Sequence, residues 1–480
     1  MDVPSLPFLG FALVGAALFN AFGARWWQTG VFFALNALFF ATYVRSPLAV
    51  APYAAFLLTG YAGVAALSRR PSRALFVAFL AGLLVEFFVF KRYAFVPTAA
   101  QLPFAYATIG LSYVFFRVLH LVIDAQSQTL AEAPGPVTYL NYTMNFTSLV
   151  AGPIQLYPEY RQTTGAERPP LDLFAIARAA ERIIVGLFKV VVVAGLLHQA
   201  QLAAVGQLAG AGELGDRALL TAAAGGLYPL FLYANFSGYT DFVIGVARLF
   251  RLVLPENFDR PFTSESFIEF WSRWHITLSR WLRTYVYTPL LMTLMRRVPS
   301  PAAEPYLNVL AYFATFFLVG AWHGQTAMFL FFGVLQGGGV AGNKLFQILM
   351  AKALGRKGYR ELARQPIYRA LARGLTFTWF AFTLLWFWCD ADQLASLFGH
   401  AGAAGMAAAW ALVLIAATLA LAALAAARDA LERRRPPASA EAPPPSRYWR
   451  TAQATAMALV FAVWTALLNG PAPDIVYRKF

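Results

Sequence analysis

Charged residues are scarce in this chain of 480 residues: 13% are Asp, Glu, Lys or Arg, whereas 59% are hydrophobic. A soluble domain carries roughly 25% charged residues and 45–50% apolar ones. The apolar residues form long unbroken runs, unlike the alternating segments of about ten residues in membrane β-barrels. Because backbone polar groups in lipid must be satisfied within their own segment, such runs are helical. The composition therefore excludes a soluble domain and predicts an all-α polytopic membrane protein.

Cysteine is almost absent, since Cys389 is the single one in the sequence. This excludes a disulfide within the chain and a cysteine-based metal site. The sequence also has no nucleotide-phosphate loop and no set of metal ligands in plausible number. We therefore expect no metal and no bound cofactor. The net charge is +15. In a membrane protein, Arg and Lys typically lie in cytoplasmic loops and near anionic lipid headgroups, so we expect no nucleic-acid partner.

About thirteen apolar runs follow one another, and a spanning helix needs roughly 17–25 such residues. The runs centre near residues 14, 37, 57, 82, 112, 147, 193, 232, 316, 338, 379, 415 and 460. Some are short enough to be re-entrant or interfacial. The prediction is a helical bundle of about 11–13 membrane segments.

The distribution of basic residues predicts the orientation, because Lys and Arg are enriched in cytoplasmic loops. No Lys or Arg precedes Arg25, and Arg69 lies between the third and fourth runs. We therefore expect the N-terminus to be extracytoplasmic, although Arg45 falls on the opposite side of this scheme. Residues 431–448, which are basic and then rich in Pro and Ala, predict a cytoplasmic linker. The last run, within 449–480, would then carry the C-terminus outward.

The segment 261–291 does not resemble a lipid-facing helix. Its aromatic residues form one helical stripe and its arginines another, as in an amphipathic helix at the membrane interface. Ser272, His275 and Ser279 share a third face, which suggests that they line a cavity. The pattern alone leaves His275 open to a functional or a structural role.

His323 ends another apolar run. Ionisable residues inside membrane helices are costly, so they usually face the bundle interior or a water-filled cavity and mark function. A hydrogen bond across helices is the structural alternative. By contrast, His120 and His198 are lone histidines on apolar faces and are assigned structural roles. His400 is predicted to lie in a loop.

Two further polar clusters interrupt apolar runs. The first, 233–241, contains Ser237 and Asp241, and the second spans 141–148. Their polar side chains cannot all face lipid, because unsatisfied polar groups are expensive there. Both clusters are therefore predicted to be buried inside the bundle.

Four motifs follow one another along the chain: FSGYTD at 236–241, ENFDRPF at 256–262, EFWSRWHITLS at 269–279 and GAWHG at 320–324. This series resembles the bacterial membrane-bound O-acyltransferases (MBOAT), in the branch that contains alginate O-acetyltransferases and the D-alanyl transferases of teichoic acids. The resemblance is strongest from about residue 140 to 340. It implies a tunnel through the bundle, with a catalytic core at 131–350.

The resemblance also implies the roles of individual residues. His323 would be catalytic and His275 would be the second characteristic histidine. Residues assigned to substrate binding on the motifs and polar clusters are Asn257, Arg273, Trp274, Ser279, Trp322, Ser237 and Asp241. On the same basis, helices at 1–130 and 351–430 would flank the core.

The C-terminus resembles a short aromatic motif found in this branch, with Tyr477 fourth from the end and Phe480 last. Ile475 stands where another phenylalanine is expected. The resemblance implies that Tyr477 is catalytic and carries the acyl group onward to an extracytoplasmic acyltransferase partner protein. The alternative is a tail without a chemical role.

The predicted function is therefore acyl transfer by a multi-pass protein of the cell inner membrane. The donor would be a cytoplasmic thioester, with acetyl-CoA as the preferred candidate. The acceptor would be a hydroxyl of an envelope polysaccharide. One alternative is transfer of D-alanine from the phosphopantetheine of a carrier protein. The alternative from another class is a transporter or flippase, which predicts two related halves and a coupling-ion site. The sequence shows neither of these.

Overall fold

The computed structural model describes residues 1–165, 168–433 and 447–468. The structure is 78% helical, and the described residues form no β-strand, so the predicted all-α fold is confirmed. The helices are α1 (Leu6–Asn20), α2 (Arg25–Ala41), α3 (Ala51–Arg69), α4 (Arg73–Phe90), α5 (Leu111–Gln126), α6 (Pro136–Thr143), α7 (Tyr157–Thr164), α8 (Leu173–Phe188), α9 (Ala194–Leu208), α10 (Leu214–Leu249), α11 (Phe267–Arg273), α12 (Ile276–Leu282), α13 (Thr288–Arg297), α14 (Glu304–His323), α15 (Ala327–Arg364), α16 (Pro366–Thr383), α17 (Leu385–Trp388), α18 (Ala391–Arg433) and α19 (Arg447–Leu468).

Seven helical stretches in the described residues are long and apolar enough to cross a membrane. They are Pro47–Arg69, Arg73–Phe90, Leu173–Leu208, Leu214–Leu249, Glu304–His323, Pro366–Trp388 and Ala391–Leu431. The chain is therefore a multi-pass membrane protein. The other predicted runs lie on shorter or less apolar helices, or on irregular backbone. The run centred near residue 147 falls between α6 and α7, where the chain is not helical.

The chain divides into two compact units. Unit 1 comprises Met1–Leu187 and Phe236–Glu256, and unit 2 comprises Phe188–Asn235 and the described residues from Asn257 onward. A long helix, α10, contributes its first part to unit 2 and its second part to unit 1. The division of the sequence into flanking helices, core, linker and terminal segment remains a prediction.

Unit 1 buries irregular backbone between α6 and α7. The Arg117 guanidinium is fully buried and donates hydrogen bonds to the carbonyl oxygens of Thr143 (3.0 Å) and Ser148 (2.8 Å). Asn36 accepts a hydrogen bond from the Phe146 amide at 2.9 Å. Non-helical backbone at membrane depth is tolerated where protein groups satisfy its polar atoms. The polar residues of 141–148 are buried, as predicted, and Arg117 and Asn36 hold this segment in place.

Unit 2 contains two principal helix pairs, α14 with α15 and α16 with α18. Its apolar core includes Phe377 and Leu385, which pack with Val413 on α18. Segment 257–277 joins this framework through Glu265, whose carboxylate pairs with Arg369 (2.7 Å) and Arg373 (2.6 Å) on α16. These contacts fix the segment that precedes α12.

Candidate active site

His323 is the last residue of α14, and its side chain is buried. Aromatic rings surround the imidazole: the centroid distances are 4.7 Å to Trp322, 5.2 Å to Phe387 and 6.0 Å to Phe332. These neighbours come from α14, α17 and α15. Three elements of unit 2 therefore fix the position of one histidine, and Trp322 is one of the rings that hold it.

The close approach of α14 and α15 depends on glycine. A Cβ atom at Gly320 would lie 2.3 Å from the carbonyl oxygen of Phe329 and 2.4 Å from the Cα of Gly333. A Cβ atom at Gly324 would lie 2.0 Å from the Phe329 ring. Small residues allow the backbones of membrane helices to approach closely. The two glycines that flank the Ala-Trp-His sequence therefore set the distance at which His323 meets α15.

His275 lies between α11 and α12, so the segment 261–291 is not one continuous amphipathic helix as its aromatic stripe predicted. His275 adopts the left-handed conformation (φ 46°, ψ 53°), which costs a non-glycine residue roughly 1–2 kcal/mol. The side chain is fully buried, and burial lowers the pKa of the imidazole to about 3. His275 is therefore neutral at physiological pH.

The break at His275 is built by residues 257–259, which run antiparallel to 273–277. The Asp259 amide donates to the Arg273 carbonyl at 3.0 Å, and the Ile276 amide donates to the Asn257 carbonyl at 2.9 Å. The Asn257 side-chain oxygen accepts hydrogen bonds from the Thr277 amide (3.2 Å) and hydroxyl (2.7 Å). Asn257 was predicted to bind substrate, and the structure places it against the backbone that carries His275.

The two histidines belong to one buried region of unit 2. Both side chains are buried, with 1% of the His275 surface and 2% of the His323 surface exposed. They come from segments separated by 48 positions in the sequence. The structure thus buries, in one unit, both of the histidines that the motifs singled out.

Arg273 and Trp274 precede His275 and have different surroundings. Trp274 is buried and packs on Phe270, Phe258 and Phe380, with centroids 5.6, 5.1 and 5.0 Å away. Arg273 pairs with Glu269 at 2.7 Å and donates to the Thr263 hydroxyl at 3.1 Å. Both contact other residues of unit 2 in the structure, and their binding of substrate stays a prediction.

A cavity of about 400 Å³ lies beside the His275 segment. Ser272 and Ser279 line it, as the third face of the sequence pattern predicted, and Ile276 lines it next to His275. The other polar lining residues are Arg280, Arg283, Tyr287, Tyr312 and Thr315. Tyr312 and Thr315 were not predicted as site residues from the sequence, because they lie on α14 within a predominantly apolar run. Arg283 and Tyr287 begin and end a π-helical segment, a feature frequent at functional sites.

Ser237 and Asp241 belong to unit 1, whereas His275 and His323 belong to unit 2. Asp241 pairs with Arg182 at 2.9 Å, and Arg182 also contacts Glu256 through both carboxylate oxygens. Ser237 is buried. The prediction that the 233–241 cluster avoids lipid agrees with this burial, and the substrate-binding roles of both residues stay predictions.

The remaining histidines have protein partners. His120 lies 3.1 Å from an Asp124 oxygen and 2.7 Å from the Tyr142 hydroxyl, and His198 stacks on Phe231. These contacts agree with the structural roles assigned to them. The prediction of a loop for His400 was wrong, because the residue lies within helix α18. The predicted roles of Tyr477 and the 431–448 linker concern residues largely outside the described ranges.

Comparison with known proteins identifies similarity over the part of the chain that contains the four motifs. Residues 82–387 match the model of MBOAT, the membrane-bound O-acyltransferase family. A protein named teichoic acid D-alanyltransferase from Bacillus subtilis (strain 168) is 25% identical over 47% of this chain and 56% of its own length. A probable alginate O-acetylase from Azotobacter vinelandii is 31% identical over 51% of this chain and 44% of its own length. A peptidoglycan O-acetyltransferase from Helicobacter pylori is 32% identical over 42% and 36%, respectively.

The chain spans about half the length of the curated relatives it matches. The family match is wider, since it covers well over half of the chain and includes all four motifs and both histidines. The chain therefore belongs to the membrane-bound O-acyltransferase family.

Proposed function

We propose that this protein transfers an acyl group, acetyl in the first place, from a cytoplasmic thioester to a hydroxyl of a cell-envelope polysaccharide. The observation that carries the proposal is that the two motif histidines, His275 and His323, are both buried in unit 2, with a cavity lined by hydroxyl and guanidinium groups next to the His275 segment. The family membership supports acyl transfer over the alternative of a transporter. The three relatives are named for transfer to envelope polymers, which supports this class of acceptor. The cell inner membrane is the proposed location.

The chemistry assigned to His323 is that of a general base. A neutral imidazole accepts the proton of the hydroxyl that receives the acyl group, which is that of Tyr477 in the relay and that of the polysaccharide in direct transfer. The oxygen of this hydroxyl forms a bond to the thioester carbonyl carbon at the same time. The carbon–sulfur bond then breaks, and the imidazolium returns its proton to the departing thiolate. An ester and a free thiol result. General acid–base catalysis of this kind contributes about 10² to 10⁴ in rate.

His275 is assigned to the oxyanion. Its low pKa of about 3 keeps one ring nitrogen protonated and the ring neutral, so the ring can donate a hydrogen bond to the charge that develops on the carbonyl oxygen. A preorganised donor in a site without water is worth much more than in solution. The neutral form also avoids placing a second positive charge beside the imidazolium that forms on His323.

The cavity is assigned to the donor arm. Arg280 and Arg283 stand on the side of the α12–α13 segment that lines it, and guanidinium groups bind phosphate in bidentate geometry. Ser279 and Tyr312 offer hydroxyls to the amide groups of a pantetheine chain. Acetyl-CoA and a carrier-bound phosphopantetheine share this arm and its phosphate, so D-alanyl transfer from a carrier protein remains the second candidate.

The two donors are distinguished in vesicles that contain the purified full-length chain. Radiolabelled acetyl-CoA and radiolabelled D-alanyl carrier protein are supplied in parallel with a polysaccharide acceptor, and label in the polymer is counted. Acetyl incorporation that falls in Arg283→Gln, with a higher KM for acetyl-CoA, is the expected result. Incorporation from the D-alanyl carrier alone would replace acetyl by D-alanine. No label from either donor, with folded protein, would contradict acyl transfer to a polysaccharide.

A further inference from the structure

The helix that follows His275 is capped from outside. His275 occupies the position before the first turn of α12, yet its side chain makes no capping hydrogen bond. The first two amides of the helix, those of Ile276 and Thr277, donate instead to the Asn257 carbonyl and side-chain oxygens. The first amides of a helix lack partners within the helix and are usually satisfied by the N-cap side chain. Asn257 therefore performs the capping role that His275 does not.

The same contacts determine the orientation of the Asn257 amide group. The Thr277 backbone N–H can only donate, so the side-chain atom that it contacts is the oxygen rather than the nitrogen. The Thr277 hydroxyl donates to that oxygen as well, at 2.7 Å. Both residues are buried, with 0% and 1% of their surface exposed. A buried hydrogen bond of this kind has no water available to replace it.

The contacts enclose a strained residue. The Asp259–Arg273 and Ile276–Asn257 hydrogen bonds lie on either side of His275, and the backbone of His275 is left-handed between them. Residues held in sparsely populated conformations persist where the surroundings over-determine them, and they cluster at active sites. Without the contacts of Asn257, residue 275 would relax toward a helical or extended conformation, and its imidazole would change direction.

We propose that Asn257 and Thr277 form a clamp that positions His275 for acyl transfer. The inference rests on the role of His275 in the proposed function, and it makes both clamp members positioning residues rather than groups that touch the substrate. Because the clamp acts through the direction of one imidazole, its loss should lower kcat and leave the donor KM nearly unchanged.

The test compares Thr277→Val, which removes one hydroxyl from a side chain of similar shape, with Thr277→Ser, which retains it. Thr277→Val should lower kcat about tenfold, the effect of one hydrogen bond of ordinary strength, while Thr277→Ser stays near the wild-type value. Thr378→Val is the matched control. Thr378 is also buried in unit 2, and its hydroxyl donates to the Gly374 carbonyl on its own helix α16 at 2.8 Å rather than to Asn257. This control should keep kcat unchanged.

A double-mutant cycle separates positioning from general stability. Asparagine tolerates the left-handed conformation, so His275→Asn removes the imidazole with the backbone retained. In this background Thr277→Val should cause no further loss of kcat, because the group that the clamp directs is gone. Thermal unfolding of each variant confirms that the compared proteins are folded.

Three results would overturn the clamp: wild-type kcat in Thr277→Val, the same tenfold loss in both backgrounds, or full activity of His275→Asn. The proposed function fails by a different result, namely transfer that survives His323→Ala.

Discussion

The contact between α14 and α15 allows a sharp test of how His323 is positioned. Alanine at Gly320 would place a Cβ atom 2.3 Å from the Phe329 carbonyl oxygen, whereas ordinary contact begins at 3.4 Å. Because the obstructing atoms are backbone, the helices must separate by about 1 Å to relieve the overlap. Overpacking of this kind costs about 1–3 kcal/mol of stability. Since residue 320 lies one turn before His323, the imidazole should move with the helix.

A misplacement of 1 Å near a reacting centre can lower the rate about 10²-fold. We therefore expect Gly320→Ala to fold, to unfold at a lower temperature, and to lose about two orders of magnitude in kcat. The assay measures label transferred by the purified protein in vesicles and thermal unfolding of the same preparation.

Gly338→Ala supplies the control for this experiment. Gly338 lies on α15, the helix that packs against α14, but an added Cβ there meets no atom within 4 Å in the described structure. Alanine in a helix is favoured over glycine by up to about 1 kcal/mol, so this variant should be as stable as the wild type or more stable, with unchanged kcat. Gly320→Ala with wild-type kcat and stability would refute the argument that close packing positions His323.

Three further predictions concern pH and the C-terminus. Burial lowers the pKa of His275 from 6.5 to about 3. As the pH falls below 6.5, His275 takes up a proton in the unfolded chain but not in the folded chain, so the free energy of unfolding should fall by up to about 1.4 kcal/mol per pH unit. His275→Asn should make the unfolding temperature depend less on pH between about pH 5 and pH 7. Tyr477→Phe should express normally yet lose transfer to the polysaccharide, because it removes a nucleophilic hydroxyl and keeps the ring; normal modification would make the tail structural. Ser439→Cys should react with a membrane-impermeant thiol reagent only after the membrane is opened, whereas Phe480→Cys should react in intact spheroplasts. The reverse pattern would place Tyr477 on the cytoplasmic side, where it could not pass the acyl group outward. The native Cys389 is buried and gives little background.

Composition and hydropathy were sufficient to predict the helical membrane fold, because a lipid environment leaves a chain few alternatives. They were insufficient for the region near residue 147. Its apolar character suggested a helix, but Arg117 and Asn36 satisfy its backbone from distant parts of the chain. Such hydrogen bonds have no local signature, so the irregular segment was predictable only as a buried polar cluster.

The candidate site shows the same limit. His323 was evident because an ionisable residue at the end of an apolar run is unusual. The break at His275 was not evident, since the aromatic spacing of 261–291 fits a continuous helix. Residues 257–259 create the break by pairing with 273–277, and periodicity carries no information about that pairing. Asp241 likewise gave no sign of its ion pair with Arg182, which lies 59 positions away.

The most direct measurement of the central claim follows label from thioester to polysaccharide in vesicles that contain the wild type, His323→Ala or Gly338→Ala. The three proteins are compared in equal amounts, and the thermal unfolding of each shows that it is folded. General-base catalysis by His323 predicts that His323→Ala transfers label at least about 10²-fold more slowly, and that Gly338→Ala equals the wild type. Transfer by folded His323→Ala at the wild-type rate would contradict the account.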